Sequence, residues 1–202
     1  MSASDRPGTL PVSEAVPSER GDAARNRVLL LDAARRLVAE RGAEAVSTDD
    51  IAAAAGVGKG TLFRRFGSRA GLMNVLLDED EKAHQHAMLF GPPPLGPGAP
   101  PLDRLLAYGR ERLEFVEKHH ALLSDVGRDA QMRFSAPMTL HHSHIRVLLQ
   151  SAGTTGDLDA QASALMALLD ADYVHYQTTA RGRTLDELAD AWDSVARKLC
   201  GT

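Results

Sequence analysis

The sequence predicts an all-α protein in which an N-terminal three-helix helix-turn-helix domain is followed by a larger helical domain. Two patterns predict this fold. After residue 22 the apolar side chains recur at spacings of three and four, which is the period of an amphipathic helix. No segment alternates apolar and polar residues at the period of two that a half-buried strand shows. We therefore expect helices and no sheet.

The first helices are predicted from their end signals. Residues 1–22 are expected to be a disordered tail, because Ser, Pro, Gly and acidic residues dominate and large apolar side chains are few. A helix is predicted over 23–41, where Leu31 and Leu37 share an apolar face and Gly42 suits a left-handed helix end. Ser47-Thr48-Asp49-Asp50 has the pattern of a capping box before a short second helix, which Gly56 ends.

The rest of the chain divides at a proline-rich segment. Short third and long fourth helices are predicted over 59–66 and 69–90, and the prolines of 91–101 predict a loop. The domain boundaries are then 23–68 for the helix-turn-helix domain and 69–202 for the larger domain. Further helices are predicted over 102–120, 121–132, 137–151, 158–181 and 184–200.

Charge and composition narrow the class of protein. The net charge is -4, yet residues 20–75 hold ten basic residues against six acidic ones, which suits a unit that touches a polyanion. No apolar run is long enough for a membrane span and no secretory signal is recognised, so no membrane partner and a cytoplasmic location are expected. A single cysteine, Cys200, cannot form an internal disulfide or a cysteine-based metal site.

The short helices carry the pattern of a helix-turn-helix. The small side chains of Ala52 to Ala55 allow the second and third helices to approach closely, and Leu62 and Phe66 are apolar positions that would hold the third helix in place. The remaining side chains of that helix would face outward and are suited to base edges and phosphates. They are Lys59, Gly60, Thr61, Phe63, Arg64 and Arg65.

These residues resemble a known family. The run Ile51-Ala52-x-x-Ala55-Gly56-Val57-Gly58-Lys59-Gly60-Thr61-Leu62-Phe63-Arg64-Arg65-Phe66-Gly67-Ser68-Arg69 is similar to the DNA-binding signature of tetracycline-repressor (TetR) type transcriptional regulators, and the resemblance extends over about residues 23–73. Two positions depart from the family pattern. Gly58 stands where a small polar residue is common, and Ala70-Gly71 replaces a pair that usually contains an acid.

The resemblance implies a DNA-binding regulator, not an enzyme. Ser47 or Thr48 would offer a helix N-terminus to a phosphate, and Gly60 and Thr61 would lie at the floor of the major groove of operator DNA. Phe63, in place of a common Tyr, would lose one hydroxyl contact to phosphate. The implied DNA-binding set is Ser47, Thr48, Lys59, Gly60, Thr61, Phe63, Arg64, Arg65 and Arg69.

The resemblance also implies a homodimer that reads a two-fold operator, because one such unit makes too few contacts for specificity. The last two predicted helices each carry an apolar stripe, which favours a four-helix interface. The candidate interface residues are Leu165, Leu169, Tyr173, Tyr176, Leu188, Trp192, Val195 and Leu199.

A small-molecule effector among the middle helices is implied as well, and its binding would release the repressor from DNA. No residue pattern in the sequence identifies the ligand, and no cofactor or metal is expected. The candidates are the polar residues of an otherwise apolar region. They are Tyr108, Arg112, His119, His120, Asp125, Arg128, His144, Asp172 and His175.

Two alternatives stay open. His141, His142 and His144 lie close together on one predicted helix, so a histidine-based metal sensor or a metal-dependent helical enzyme is the first alternative. It lacks an acid or cysteine at matching spacing. The second is a DNA-binding protein without an effector pocket, whose DNA affinity would respond to no small molecule.

Overall fold

The computed structural model describes residues 19–127 and 136–201, and for 19–20 and 124–127 it describes the backbone alone. The described part of the chain is helical and contains no strand, which confirms the predicted all-α class. None of the described helices has the length and apolar character needed to cross a membrane.

The described residues form ten α-helices in two compact units, one ending at Arg69 and the other beginning at Ala70. The helices are α1 (Glu19–Arg41), α2 (Thr48–Ala55), α3 (Lys59–Phe66), α4 (Arg69–Phe90), α5 (Pro101–Lys118), α6 (His120–Gly127), α7 (Ala136–Ser151), α8 (Leu158–Ala167), α9 (Ala171–Thr179) and α10 (Leu185–Leu199).

In the first unit, local signals and burial agree. Leu30, Leu31 and Leu37 of α1 are buried, as are Ile51 of α2 and Leu62 of α3, so each helix contributes its apolar face to the interior. α1 begins at Glu19, four residues before the predicted start, and its last turn ends at the predicted residue, Arg41.

The turn between α2 and α3 depends on glycine. Gly56 has φ of 63° and ψ of 29°, the left-handed conformation that a residue with a side chain rarely adopts. Its N–H closes α2 onto the carbonyls of Ala52 and Ala53, and three residues later α3 begins. This tight turn gives the second and third helices the layout of a helix-turn-helix.

The second unit is built around Trp192, which is 1% exposed. Its indole N–H donates to the carbonyl of Leu165 at 3.1 Å, which ties α10 to α8. Gly109 of α5 lies against the indole so closely that an added Cβ would come within 2.3 Å of it. The absence of a side chain at Gly109 is therefore what lets α5 and α10 pack around the tryptophan.

Three predictions about element bounds were wrong. Residues 19–22, predicted as part of the disordered tail, belong to α1. The single helix predicted over 158–181 is two helices, α8 and α9, and the Asp170 side chain caps α9 by accepting from the Tyr173 N–H at 3.1 Å. The helix predicted over 102–120 ends at Lys118, and α6 follows after one residue. The prediction for 128–132, like that for the tail over 1–18, lies outside the described residues.

Candidate functional site

The outer face of α3 is the first candidate site. Leu62 is its only buried residue and is 0% exposed, so this position anchors the helix. Lys59, Gly60 and Arg64 are exposed, and Thr61 is half-buried between them. The side of α3 turned to solvent therefore presents cations, a hydroxyl and a bare glycine backbone.

The charged groups of this face interact weakly with their neighbours. The Lys59 ammonium lies 2.6 Å from an Asp49 carboxylate oxygen, and both side chains are more than half exposed. It also lies 5.9 Å from the centre of the Phe63 ring, which is 41% exposed. Exposed pairs of this kind contribute about 1 kcal/mol or less, so an incoming phosphate can compete for the lysine.

The start of α2 is closed by its own side chains. The Ser47 hydroxyl accepts from the Asp50 N–H at 3.1 Å, and the Asp50 carboxylate accepts from the Ser47 N–H at 3.0 Å. The Ser47 hydroxyl also hydrogen-bonds to this carboxylate, which lowers the pKa of Asp50. Thr48 is the first residue of α2 and is half-buried. The capping box predicted from the sequence is thus formed.

Arg65 and Arg69 each donate to backbone carbonyls of the first unit. Arg65 Nη2 donates to the Ala23 carbonyl of α1 at 2.8 Å. The Arg69 guanidinium is partly buried and donates to the carbonyls of Val46 (2.7 Å, from Nε) and Ala43. The Arg69 side chain therefore joins the start of α4 to the loop between α1 and α2, and we assign it a structural role. The DNA contact expected of Arg69 stays a prediction.

The second candidate site is a buried polar network in the second unit. Glu81 of α4 accepts from Arg112 Nη1 of α5 at 2.7 Å and from His141 Nε2 of α7. The Tyr108 hydroxyl lies 3.0 Å from His141 Nδ1. A neutral imidazole protonated at Nε2 satisfies both contacts, because Nε2 then donates to Glu81 and Nδ1 accepts from the Tyr108 hydroxyl.

Two further histidines border this network. The His84 and His144 rings lie 5.9 Å and 5.4 Å from the Tyr108 ring, between centroids. Each has a buried Nε2 atom without a hydrogen-bond partner among the residues that the structure describes. Unsatisfied buried polar atoms are rare, so both nitrogens are candidates for contact with a bound molecule.

Burial sets the protonation of the network. Burial, with the positive charge of Arg112 next, lowers the pKa of His84 to about 4. Burial, with the charge of Arg104 next, lowers the pKa of His144 to about 4. Burial alone would raise the pKa of Glu81, but the hydrogen bond from His141 and the charge of Arg112 hold it well below its usual value. At neutral pH the network therefore holds an ionised Glu81–Arg112 pair among neutral imidazoles.

The candidate effector residues fall into separate places. Tyr108, Arg112, His119 and His144 are buried in or beside the network. His119 Nε2 lies 3.1 Å from an Asp80 carboxylate oxygen. The candidates of α6 and α9 form another cluster, in which the rings of His120 and His175 stack at 3.7 Å and Asp172 lies 3.2 Å from His120. Arg128 and the side chain of Asp125 are outside what the structure describes.

Sequence reasoning missed Glu81, His84 and His141 as members of the network. A signal was present in α4, because Leu77, Glu81, His84 and Met88 follow the spacing of four, three and four that marks one helix face. Leu77 and Met88 are buried, and the two polar residues between them are buried with them.

The candidate interface residues also divide in two. Leu165, Leu169, Leu188 and Trp192 are buried in the core of their own unit, whereas Leu199 is half-buried. Tyr173 (36%), Tyr176 (53%) and Val195 (38%) remain exposed. Only these three members offer substantial apolar surface for a second copy.

The histidines of α7 have other partners in the described part of the chain. His141 is held by Glu81 and Tyr108, whereas His142 Nε2 lies 3.2 Å from the Asp159 carbonyl and from the Ser163 hydroxyl. Within residues 19–127 and 136–201 no three histidine, cysteine or acidic side chains come together in a way that could hold a metal ion. The described geometry gives the metal alternative no support.

An open groove of about 360 Å³ lies between α4 and α5. His84 of the network border forms part of its wall, and most of the remaining wall is acidic or apolar. The lining residues are Asp80, Ala83, His84, Ala87, Glu111, Glu114, Phe115 and Lys118.

Comparison with known proteins finds a family match in the N-terminal part of the chain. Residues 30–76 match the family described as bacterial regulatory proteins, tetR family. This segment contains α2, α3 and the signature found in the sequence, so the recognition made there is confirmed. No match was found among curated proteins.

Solved structures share the fold over most of the chain. A TetR-like transcriptional regulator from Rhodococcus sp. RHA1 is 26% identical, with a TM-score of 0.57 over 88% of this chain and 97% of its own. NalD, the secondary repressor of the MexAB-OprM multidrug efflux pump in Pseudomonas aeruginosa, is 21% identical, with a TM-score of 0.55 over 88% and 97%. RolR in complex with the ligand resorcinol is 17% identical, with a TM-score of 0.59 over 90% of each chain.

Proposed function

Because its N-terminal segment is that of a TetR-type transcriptional regulator, we propose that this chain is a ligand-responsive repressor. Regulators of this family are generally DNA-binding repressors that respond to ligands, and they are generally not enzymes. The proposal for this chain is more specific: a homodimer binds a two-fold operator through α3 in the major groove, and a small-molecule effector releases it.

The observation that carries the proposal is the outward face of α3. Lys59, Thr61 and Arg64 lie on the exposed side of a helix that is anchored by a single buried leucine. Cations suit phosphates, and a threonine methyl and hydroxyl suit a thymine methyl or a base acceptor. A Cβ added at Gly60 would meet no atom within 4 Å, so the space beside this residue is open to a close partner.

A dimer supports specificity in this proposal. Two copies of α3 would read half-sites about one helical turn, or a multiple of it, apart. The exposed apolar side chains Tyr173, Tyr176 and Val195 on α9 and α10 supply surface for pairing. In a two-fold symmetric dimer both copies contribute the same surface patch. The apolar area buried in the interface is therefore twice that of one chain.

The effector part of the proposal is supported by the polar network and the groove beside it. An effector changes DNA affinity only if it binds one conformation of the dimer better than another. His84 and His144 offer buried imidazole nitrogens that lack a partner among the described residues. We propose that the bound ligand favours a spacing of the two DNA-binding units that no longer fits the operator.

The decisive experiment starts from DNA of the source organism. Fragments captured by the purified full chain are sequenced, and the affinity for the recovered fragment is measured by fluorescence anisotropy at several salt concentrations. We expect a shared two-fold motif and a log–log slope of about -0.9 for each phosphate that a cation neutralises. Fragments without a common motif, or an affinity that salt does not change, would refute the proposed DNA-binding mode.

A further inference from the structure

The groove between α4 and α5 is open to solvent and is lined by apolar side chains and by carboxylates of both helices. Its volume of about 360 Å³ lies in the range of small-molecule sites. Ala83 and Ala87 of α4 keep it open because their side chains are short, and the Phe115 ring of α5 adds an apolar wall. Carboxylates of both helices, Asp80 of α4 and Glu111 and Glu114 of α5, line the groove beside this apolar floor.

Two of these carboxylates have no lysine or arginine partner among the described residues. Asp80 is paired with Lys118 at 3.0 Å. Glu111 and Glu114, by contrast, have no lysine or arginine within ion-pair distance among the residues described, and the nearest basic atom to Glu111 is His84 Nδ1 at 3.9 Å. Burial, and then repulsion from Glu114, raise the pKa of Glu111. The groove therefore holds an excess of negative charge that a ligand can neutralise.

His84 gives the groove a second polar feature, independent of the carboxylates. It lines the groove, its side chain is only 6% exposed, and its Nε2 atom lacks a hydrogen-bond partner in the described part of the chain. A buried polar atom normally finds a partner in the protein, in ordered water or in a bound molecule. Burial, with the charge of Arg112 next, lowers the pKa of His84, so this side chain adds no positive charge to the groove at neutral pH.

We propose that the α4–α5 groove binds an organic monocation with an apolar body, held by Glu111 and Glu114 and packed against Ala83, Ala87 and Phe115. The inference rests on the proposed function, since it identifies this groove as the effector site of the repressor. An anionic ligand would meet two carboxylates, and a small metal ion would leave the apolar floor uncovered. An ammonium group on an apolar body fits both parts of the groove.

The first test is direct binding of benzyltrimethylammonium to the full chain, measured by isothermal titration calorimetry without DNA. We expect saturable binding of one molecule per chain that weakens as salt is added, because salt screens a charge pair at an open site. Benzyl alcohol and benzoate, which keep the aromatic body but are neutral or anionic, should bind far more weakly. Absence of saturable binding, or equal binding of all three, would overturn the inference.

The second test places the cation in the groove. Glu114→Gln and Glu111→Gln each remove one carboxylate charge and keep the side-chain shape, and each should weaken benzyltrimethylammonium binding at least about fivefold. Asp103→Asn is the matched control, since it removes an exposed carboxylate from the first turn of the same helix, about 12 Å along the axis from Glu111. Equal losses in the control and the groove variants would contradict the assignment.

The two proposals can fail separately. The anisotropy of operator DNA, recorded with no ligand, tests DNA binding alone, and the calorimetry tests the groove alone. A chain that binds its operator but not the cation would overturn the ligand class and leave the DNA-binding proposal intact. A chain that binds both should lose operator affinity on addition of the cation, and Glu114→Gln should shift this response to concentrations at least about fivefold higher.

Discussion

Arg69 is the first residue of α4, and its guanidinium hydrogen-bonds to the loop between α1 and α2. The carbonyls of Val46 and Ala43 accept from it, and Val46 is 1% exposed, so water cannot readily replace the bond. Arg69→Met keeps the aliphatic stem and leaves these acceptors without their donor. We expect the free energy of unfolding to fall by about 1–3 kcal/mol, measured by urea unfolding followed by circular dichroism.

The control for Arg69 is another arginine of the same segment. Arg64 is exposed, and its side-chain contact within the described residues is a 3.5 Å approach of Nη2 to the Thr61 hydroxyl. Arg64→Met should change the free energy of unfolding by no more than about 0.5 kcal/mol, whereas it should weaken operator binding. If the two variants lose the same stability, the structural role given to Arg69 is wrong.

A substitution at Gly60 should change stability and operator affinity in opposite directions. It lies inside α3, its φ is not in the left-handed region, and an added Cβ would meet no atom within 4 Å. Gly60→Ala should therefore stabilise the chain by about 0.5–1 kcal/mol, because glycine loses more backbone entropy on folding than alanine does. Operator affinity should nevertheless fall, since the methyl group occupies space needed for close approach to the bases.

Thr61→Ala is the comparison for Gly60. It removes a methyl and a hydroxyl group without adding volume, so we expect altered preference at one base pair, worth about 1–3 kcal/mol between the best and the wrong base. Competition binding with single-substituted operators measures this preference. A Gly60→Ala variant that binds DNA as tightly as the original chain would show that α3 does not approach the groove floor.

At the scale of the helices, the polar network links α4, α5 and α7 and should make stability depend on pH. The folded chain keeps His84 and His144 neutral down to about pH 4, whereas the unfolded chain protonates them near pH 6.5. The unfolded state therefore binds more protons in this window, and stability falls as the pH is lowered. Within this window each histidine lowers the free energy of unfolding by about 1.4 kcal/mol per pH unit. Because the folded chain also lowers the pKa of Glu81, stability falls further once the pH drops below the pKa that Glu81 has in the unfolded chain.

The measurement uses the single tryptophan of the chain. Trp192 is buried in the same unit as the network, so its fluorescence follows the unfolding of that unit in urea. When the pH is lowered from about 6.5 to about 5, the free energy of unfolding should fall less steeply in His144→Gln than in the original chain. An unchanged slope in this variant would contradict the assignment of a neutral buried His144.

The helices also show what the sequence can predict and where it stops. Caps are local, so Ser47 with Asp50, and Gly56 after α2, gave the bounds of the short helices correctly. The break between α8 and α9 was missed because Leu165, Leu169 and Tyr173 keep their spacing of four across it. From the sequence alone, Asp170 could be the N-cap of a new helix or an exposed acid inside a continuous one. Only the tertiary structure distinguishes these two cases.

The network was missed for a related reason. Its partners are far apart in sequence, since Arg112 lies 31 residues and His141 lies 60 residues from Glu81. A run of charged residues such as 78–82 is usually solvated, and a buried carboxylate is favourable only when distant elements supply its partners. Helical spacing identifies the buried face of α4. The hydrogen bonds between side chains of α4, α5 and α7 depend on tertiary structure, so a local sequence pattern cannot predict them.

At the scale of the whole molecule, the proposed repressor needs two copies. The sequence predicted an apolar stripe on the last helices, but Trp192 and Leu188 fill the core of their own unit, so the pairing surface is narrower than the stripe. Val195, with 38% of its surface exposed, lies on that reduced surface. A charge at this position would have to be buried between two copies, which disfavours association.

Val195→Glu should therefore shift the chain from dimer to monomer, as measured by size-exclusion chromatography with light scattering. Affinity for a two-fold operator should fall by at least about tenfold, because each monomer then binds a half-site alone. Val147→Glu is the matched control, since Val147 of α7 is 51% exposed and lies outside the candidate interface. If the control also yields monomers, or Val195→Glu stays dimeric at the same concentration, then α10 does not form the interface.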